Sequence, residues 1–414
     1  MHQTSNIKYY ALCKKIKHID INPPSYHISK LQPLYEDLAQ CFSEQNIGQR
    51  AFTKPIIGFK DGASFDYIPD EIKTHIPSLN HRVQYTFKTA GGQRAERLQQ
   101  LNPKVTLSPE DFGRNMKLCI ASSSDQENSE IMYLVYSWFC FLEKHVRSIC
   151  SKTLTIYLYL TNCTKKLPDD ASIELNQIHV NTGFTRSCDE NNEIYIFRHE
   201  EWFKVLLHES IHAMGVDFSW YNNHAPIESV LQKEFTGVRI AAWNISECYT
   251  EIWAEIMNVL IQVYLITKKT NFSSVKHIVY NALYYESCWS HIQCSKILKY
   301  YGITYQELTA NTVVYQETKT SVFSYYVLKC LLMCNIGLFI EWCEKHRTGS
   351  EHNISDLFSH IFDDEKVIEK NMIYFGNFLV QLSRDDRHSQ QLNVIQHMKI
   401  DIGDSLRMSL WSEG

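Results

Sequence analysis

The string His208-Glu209-Ser210-Ile211-His212 constrains this chain more than any other feature of its 414 residues. Two histidines four positions apart on a helix sit one turn apart on the same face, so both imidazoles can reach a single zinc ion. The glutamate beside the first histidine lies next to that face and can take a proton from a metal-activated water. The pattern therefore points to hydrolytic chemistry.

The flanks make the string part of a helix. Trp202, Phe203, Leu206, Leu207, Ile211, Ala213 and Met214 form a wide apolar arc on a helix expected over about 200–214. His208, Glu209 and His212 fall outside that arc, with Glu201 and Lys204, which suits a buried helix whose polar face lines a cleft. Gly215 supplies the helix stop.

A catalytic zinc needs a third protein ligand and an open position for water. The segment Ser246-Glu-Cys-Tyr-Thr-Glu-Ile-Trp-Ala-Glu-Ile-Met-Asn258 offers Glu247, Glu251 and Glu255 as one acidic stripe on a helix expected over Ser246–Leu265. Such a stripe is either a solvated face or a ligand face. A glutamate 35 residues after His212 fits the zinc peptidases whose third ligand is a glutamate, followed one turn later by an acid that orients a ligand histidine. Glu247 is then the ligand and Glu251 the acid behind it; the register shifted by one turn, Glu251 with Glu255, also fits. The alternative extension with a third His or Asp fails here. Phe218 stands at the required position, Asp217 comes one residue early, and His224 comes too late. Tyr325 and Tyr326, in Ser321-Val-Phe-Ser-Tyr-Tyr, are candidate donors to the reaction's oxyanion, with His224 and Tyr249 as alternatives.

Composition sets the class. A hydrophobic content of 44% with 21% charged residues describes a globular chain, and a net charge of −5 gives no electrostatic case for nucleic acid. The two longest apolar runs, Ile131–Leu142 and Tyr325–Trp342, are too short or too interrupted by polar residues to predict a membrane span. Thirteen cysteines occur without a Cys-x-x-Cys pair, and no apolar leader opens the chain. They read as reduced thiols of a cytoplasmic protein. Cys330 and Cys334, at helical spacing in an apolar run, read as two buried thiols rather than ligands.

Three regions are expected: residues 1–105 as an N-terminal region of its own, with a locally basic stretch His81–Arg97; residues 106–350 carrying the histidine helix; and residues 351–414 as a helical C-terminal extension. In the middle region, Ser129–Ser151 reads as a helix, while Thr153–Thr161, Ile178–Phe184 and Glu193–Arg198 read as strands. Ile178–Phe184 is the candidate sheet edge on which a substrate peptide adds as a strand, or an ordinary interior strand. Helices follow at about 275–300, 320–345 and 355–385, then a polar loop at Asp385–Gln391 and a strand-like end. The fold class is α+β, a small zincin-like sheet packed on the histidine helix with a mostly helical C-terminal half.

Three stretches carry a family resemblance: His179-Val-Asn-Thr-Gly-Phe-Thr185, Ile194-Tyr-Ile-Phe-Arg-His-Glu-Glu-Trp-Phe-Lys-Val-Leu-Leu-His-Glu-Ser-Ile-His212 and Ser246-Glu-Cys-Tyr-Thr-Glu-Ile-Trp-Ala254. Together they resemble zinc metallopeptidase-like proteins of large nucleocytoplasmic DNA viruses, over roughly residues 150–260, with a weaker echo at Phe323-Ser-Tyr-Tyr326. The resemblance implies a viral protein of infected-cell cytoplasm, a Zn2+ cofactor held by His208, His212 and Glu247, and a peptide or protein substrate. A non-catalytic viral structural or interaction protein that keeps the zinc site is the other expectation.

Overall fold

The computed structural model describes residues 26–43, 52–89, 113–124, 128–146, 149–347, 358, 361–362, 365–398 and 403–411. The Arg94–Arg97 end of the basic stretch and most of the first part of the helix expected at 355–385 lie outside the described residues.

A six-stranded sheet organises the first half, in the order β1 (Ile56–Ile57), β2 (His81–Lys88), β3 (Asn115–Ser122), β4 (Thr153–Tyr159), β6 (Asn191–Ile196) and β5 (Gly183–Thr185). The β3–β4 and β4–β6 pairs are parallel and the others antiparallel. Alternation along the strands gives each face its own cover. Leu118, Ile120, Leu154, Ile156, Ile194 and Ile196 face the main core, whereas Cys119, Tyr157, Tyr159, Tyr195 and Phe197 meet Ile68, Ile72, Ile76 and Leu79 on the other side.

The helices that matter most run on the core face. They are α1 (Gln32–Ser43), α2 (Ser129–Glu143), α3 (Trp202–Ala213), α4 (Ala225–Glu234) and α5 (Ser246–Thr267). A more helical half follows, with α6 (Lys276–Tyr300), a wide π turn Phe323–Leu328 leading into α7 (Lys329–Cys334), then α8 (Ile336–His346), α9 (Ile368–Ser383) and α10 (Asp386–His397). A second, two-stranded parallel sheet joins β7 (Val238–Ile240) to β8 (Tyr315–Glu317). The fold is thus mixed α+β with a helical C-terminal half, as the pattern of periodicities predicts.

Several boundaries differ from the sequence reading. Position 105 does not divide the sheet, because β2 pairs with β3 along its whole length. Residues 403–411 are likewise built into the body. Leu406 N bonds Lys165 O at 3.0 Å, and the buried Glu201 carboxylate accepts from Ser409 N at 2.7 Å. Ile178–Phe184 is not one strand. Gln177–Val180 forms a helical turn and only Gly183–Thr185 pairs, because Asn176 caps the turn through Ile178 N while His179 Nδ1 accepts from Asn176 N. Asp385–Gln391 is helical rather than a loop, since the Asp385 side chain caps α10 at Arg387 N.

No single helix among the described residues is long and apolar enough to cross a membrane; the apolar run at 323–346 bends by 90° at a break and is largely buried. Nor are all the cysteines free thiols. A disulfide joins Cys150 to Cys188, tying the chain before β4 to the loop between β5 and β6.

Candidate metal centre

Helix α3 leaves β6 and is buried along its entire length. Its apolar arc packs on the sheet, and Trp138 of α2 donates to Ser210 Oγ at 2.7 Å. The polar arc does not open to solvent as the sequence suggests; α5 lies across it. His208, Glu209 and His212 are only 4, 7 and 6% exposed.

Glu247, in the first turn of α5, brings its carboxylate to both imidazoles. Glu247 Oε2 is 3.1 Å from His208 Nε2 and 3.2 Å from His212 Nε2, and the two Nε2 atoms are 3.1 Å apart. Donors bound to one tetrahedral ion at about 2.0–2.1 Å stand about 3.3 Å from one another. The three atoms therefore already hold the spacing a single ion requires, and the donor set of two imidazoles and one carboxylate is one that binds such ions.

The far side of each ring is held by an acid. Glu251, one turn after Glu247, places Oε2 2.8 Å from His208 Nδ1, close though not aligned as a straight hydrogen bond. For His212 the acid is Asp217, whose Oδ2 lies 2.6 Å from Nδ1. Asp217 is completely buried and also accepts from Thr250 Oγ1 at 2.9 Å and Ser219 Oγ at 2.7 Å. Gly215 makes this possible. Its φ of +66° closes α3, with Gly215 N bonded to His212 O and Val216 N to Ile211 O, so the chain doubles back and Asp217 meets the ring it has just passed. Sequence reasoning weighed Asp217 only as a ligand and missed this role; the signal was an acid two residues past a helix-ending glycine.

The stripe on α5 resolves into separate partners. Glu251 pairs with the buried Lys204 of α3, and Glu255 accepts from Lys329 Nζ at 3.0 Å, away from the histidines. The register with Glu251 as ligand and Glu255 behind it is therefore not the one formed. Of the two tyrosines, Tyr325 reaches the centre, with its ring 6.1 Å from that of His208 and its hydroxyl beside Glu247. Tyr326 does not. Neighbouring residues on a helical turn point in different directions, and its hydroxyl donates to Leu406 O at 2.7 Å. Tyr249 is packed among Phe218, Phe339, Phe362 and Phe375, and His224 Nε2 lies 2.5 Å from Tyr221 O, so neither serves the site.

Electrostatically the centre calls for positive charge. Burial opposes the charged form of His208, but the hydrogen bond to Glu247 and the Glu251 carboxylate beside Nδ1 outweigh it and push its pKa up to about 9. Burial also resists ionisation of Glu247, yet the charge of His212 and hydrogen bonds to both rings hold it far below the usual carboxylate range. Glu209 has no such compensation. Burial pushes its pKa up to about 7, only partly countered by the neighbouring histidines.

Two cavities, of about 520 and 670 Å³, flank the sheet, and neither is lined by these residues. The smaller lies beside β5, among Gly183, Phe184 and Thr185, with Tyr67 and Phe197 of the face opposite α3. The Glu247 side chain, 21% exposed, is the most open part of the ligand group.

No protein-family model, curated protein or solved structure matches this chain.

Proposed function

We propose that the chain is a zinc-dependent metallopeptidase with a zincin-like centre, in which His208, His212 and Glu247 hold the ion. The observation that carries the reading is the closure of these three donors to 3.1–3.2 Å, with an acid behind each imidazole. A bound Zn2+ would supply Lewis acidity, lowering the pKa of a water and polarising a peptide carbonyl. Asp217 and Glu251 keep each Nδ1 protonated, so that each Nε2 presents its lone pair. Glu209 accepts the proton of the attacking water and passes it to the leaving amine, a task suited to a carboxyl whose pKa lies near neutrality. The Tyr325 hydroxyl, turned from Glu247 toward substrate, donates to the oxyanion. A peptide would add along the free edge of β5. The likeness to the viral metallopeptidase-like proteins, and with it an infected-cell cytoplasmic setting, belongs to the same proposal.

The test combines metal content with turnover. Glu209→Gln is expected to retain the zinc of this centre and lose chelator-sensitive hydrolysis of a peptide library, whereas His208→Ala loses both that zinc equivalent and hydrolysis. Full activity in Glu209→Gln would refute the mechanism. One observation favours a second reading, a zinc-binding protein without catalysis: the centre is enclosed by α5 and opens into neither cavity. That reading predicts zinc in the wild-type chain and no hydrolysis by it.

A further inference from the structure

Away from α3, four buried side chains from three helices converge. They are His291 of α6, Cys330 and Cys334 of α7, and His388 in the first turn of α10. Their nearest ligand atoms all lie within 4.8 Å of one another. The two sulfurs are 3.7 Å apart. Two thiolates bound to one tetrahedral zinc at about 2.3 Å stand about 3.8 Å apart, so the helical i, i+4 spacing has set the pair to the span of an ion. Cys334 Sγ is 3.1 and 3.2 Å from the two nitrogens of His291. Ser287 O, 3.0 Å from His291 Nδ1, accepts a hydrogen bond there, which leaves Nε2, 3.2 Å from Cys334 Sγ and facing the Gln391 side-chain amide, as the ligand atom.

His388 is the deciding residue. It is 3% exposed, and both of its ring nitrogens are buried with no hydrogen-bond partner. Buried polar atoms are almost always satisfied, and an imidazole that finds no protein partner among two thiols and a second imidazole has the surroundings of a ligand.

We propose that His291, Cys330, Cys334 and His388 form a second metal site, a closed structural zinc centre that pins the C-terminal helix α10 to α6 and α7. Soft sulfur with imidazole in a four-donor set selects zinc over the harder divalent ions. On binding, each thiol releases its proton to solvent as a metal–sulfur bond forms. The two negative charges then neutralise the dication, which suits a centre with no solvent access. All four positions are filled by protein, so no water can be activated there, unlike the His208 centre. Cys330 and Cys334 are buried, as the sequence reading has them; on this proposal they are ligands as well.

Cobalt(II) tests this on the full chain. A thiolate-bound cobalt gives a sulfur-to-metal charge-transfer band in the near ultraviolet, and the His208 centre, which has no sulfur ligand, cannot produce one. The band is expected in cobalt-loaded wild-type protein, is expected to weaken in Cys334→Ser, and is expected to vanish when Cys330→Ser and Cys334→Ser are combined. Should the double variant fail to fold, the wild-type spectrum still decides. Cobalt binding without the band overturns the proposal, as does a band that survives in the folded double variant.

Discussion

Replacing Asp217 by Asn isolates what the acid behind His212 contributes. The Asp217 carboxylate serves three donors, His212 Nδ1, Thr250 Oγ1 and Ser219 Oγ, within 2.9 Å. An asparagine keeps one acceptor oxygen, which can still face His212 and Thr250. Its amide meets Ser219, whose hydroxyl can turn to accept. Packing is therefore preserved while the full negative charge is lost. Removing such support from a ligand histidine costs about 10–100-fold in metal affinity, or about 1.4–2.8 kcal/mol. Asp217→Ala should cost more, because the buried Nδ1–H is then left with only the more distant Ser219 Oγ at 3.2 Å and Thr250 Oγ1 loses its acceptor, a further penalty of roughly 1–3 kcal/mol. The assay is competition for zinc against a chromophoric chelator, with His212→Ala identifying which bound equivalent belongs to this centre. If Asp217→Asn holds that equivalent within twofold of wild type, the acid does not tune the histidine and the account of the site is wrong.

Three further expectations follow from the same geometry. Tyr325→Phe should keep its zinc and lower kcat by about 10²–10³ with little change in KM, as loss of one oxyanion donor does; an unchanged kcat removes Tyr325 from the reaction. Gly215→Ala should lower Tm, with destabilisation of about 1–3 kcal/mol, because φ is +66° and the new Cβ would stand 2.8 Å from Cys150 Sγ; wild-type Tm would refute the strained-turn reading. Asp37, bonded to Lys144 Nζ at 2.5 Å and facing His145 Nε2 at 3.1 Å, has its pKa lowered, the partners outweighing burial. A lowered carboxyl pKa gives stability that is present above the unfolded value of about 3.9 and is lost as pH falls through the folded one. Asp37→Asn should therefore cost about 1 kcal/mol at neutral pH and nothing at the acid end of a urea-denaturation series; an equal cost at both ends would exclude the ion pair.

How much of this was legible depended on the range of the interaction. The histidine helix and the long helix after it were read nearly to their ends, since both are set by local periodicity and, for α3, by a glycine stop. The β4 strand was equally clear from its β-branched and aromatic residues. Segment 178–180 was misread because its apolar alternation resembles a strand, while a capping asparagine two residues upstream imposes a turn. Asp217 and Tyr325 could not be assigned from spacing alone. One depends on a left-handed residue folding the chain back, and the other on a helix more than a hundred residues downstream of α3. The convergence of His388 with Cys330 and Cys334 was hidden for a similar reason, since no short motif links residues on separate helices.

The acidic stripe on α5 shows most clearly why sequence pattern and site differ. Three glutamates at equal spacing read as one face with one role, solvated or ligating. Burial separates them, because a buried carboxylate must find its own partner and the partners arrive from different helices. Glu247 faces the two imidazoles, Glu251 is shared between His208 and Lys204, and Glu255 is held by Lys329. Lys204 stands one turn before His208 on α3, so the helix that supplies the ligand also supplies the cation that steadies the acid behind it. Helices α3 and α5 are thus locked by the ion pairs of Lys204, which lies before His208 along α3, with Glu251 and Glu255, which lie after Glu247 along α5, and the ligand spacing is held by charges that sequence alone would place in solvent. The same logic makes Lys204 a positioning residue. Its loss would leave Glu251 buried with His208 and the more distant Lys329 to neutralise it, and would alter the tautomer and angle of that ring before it altered the fold.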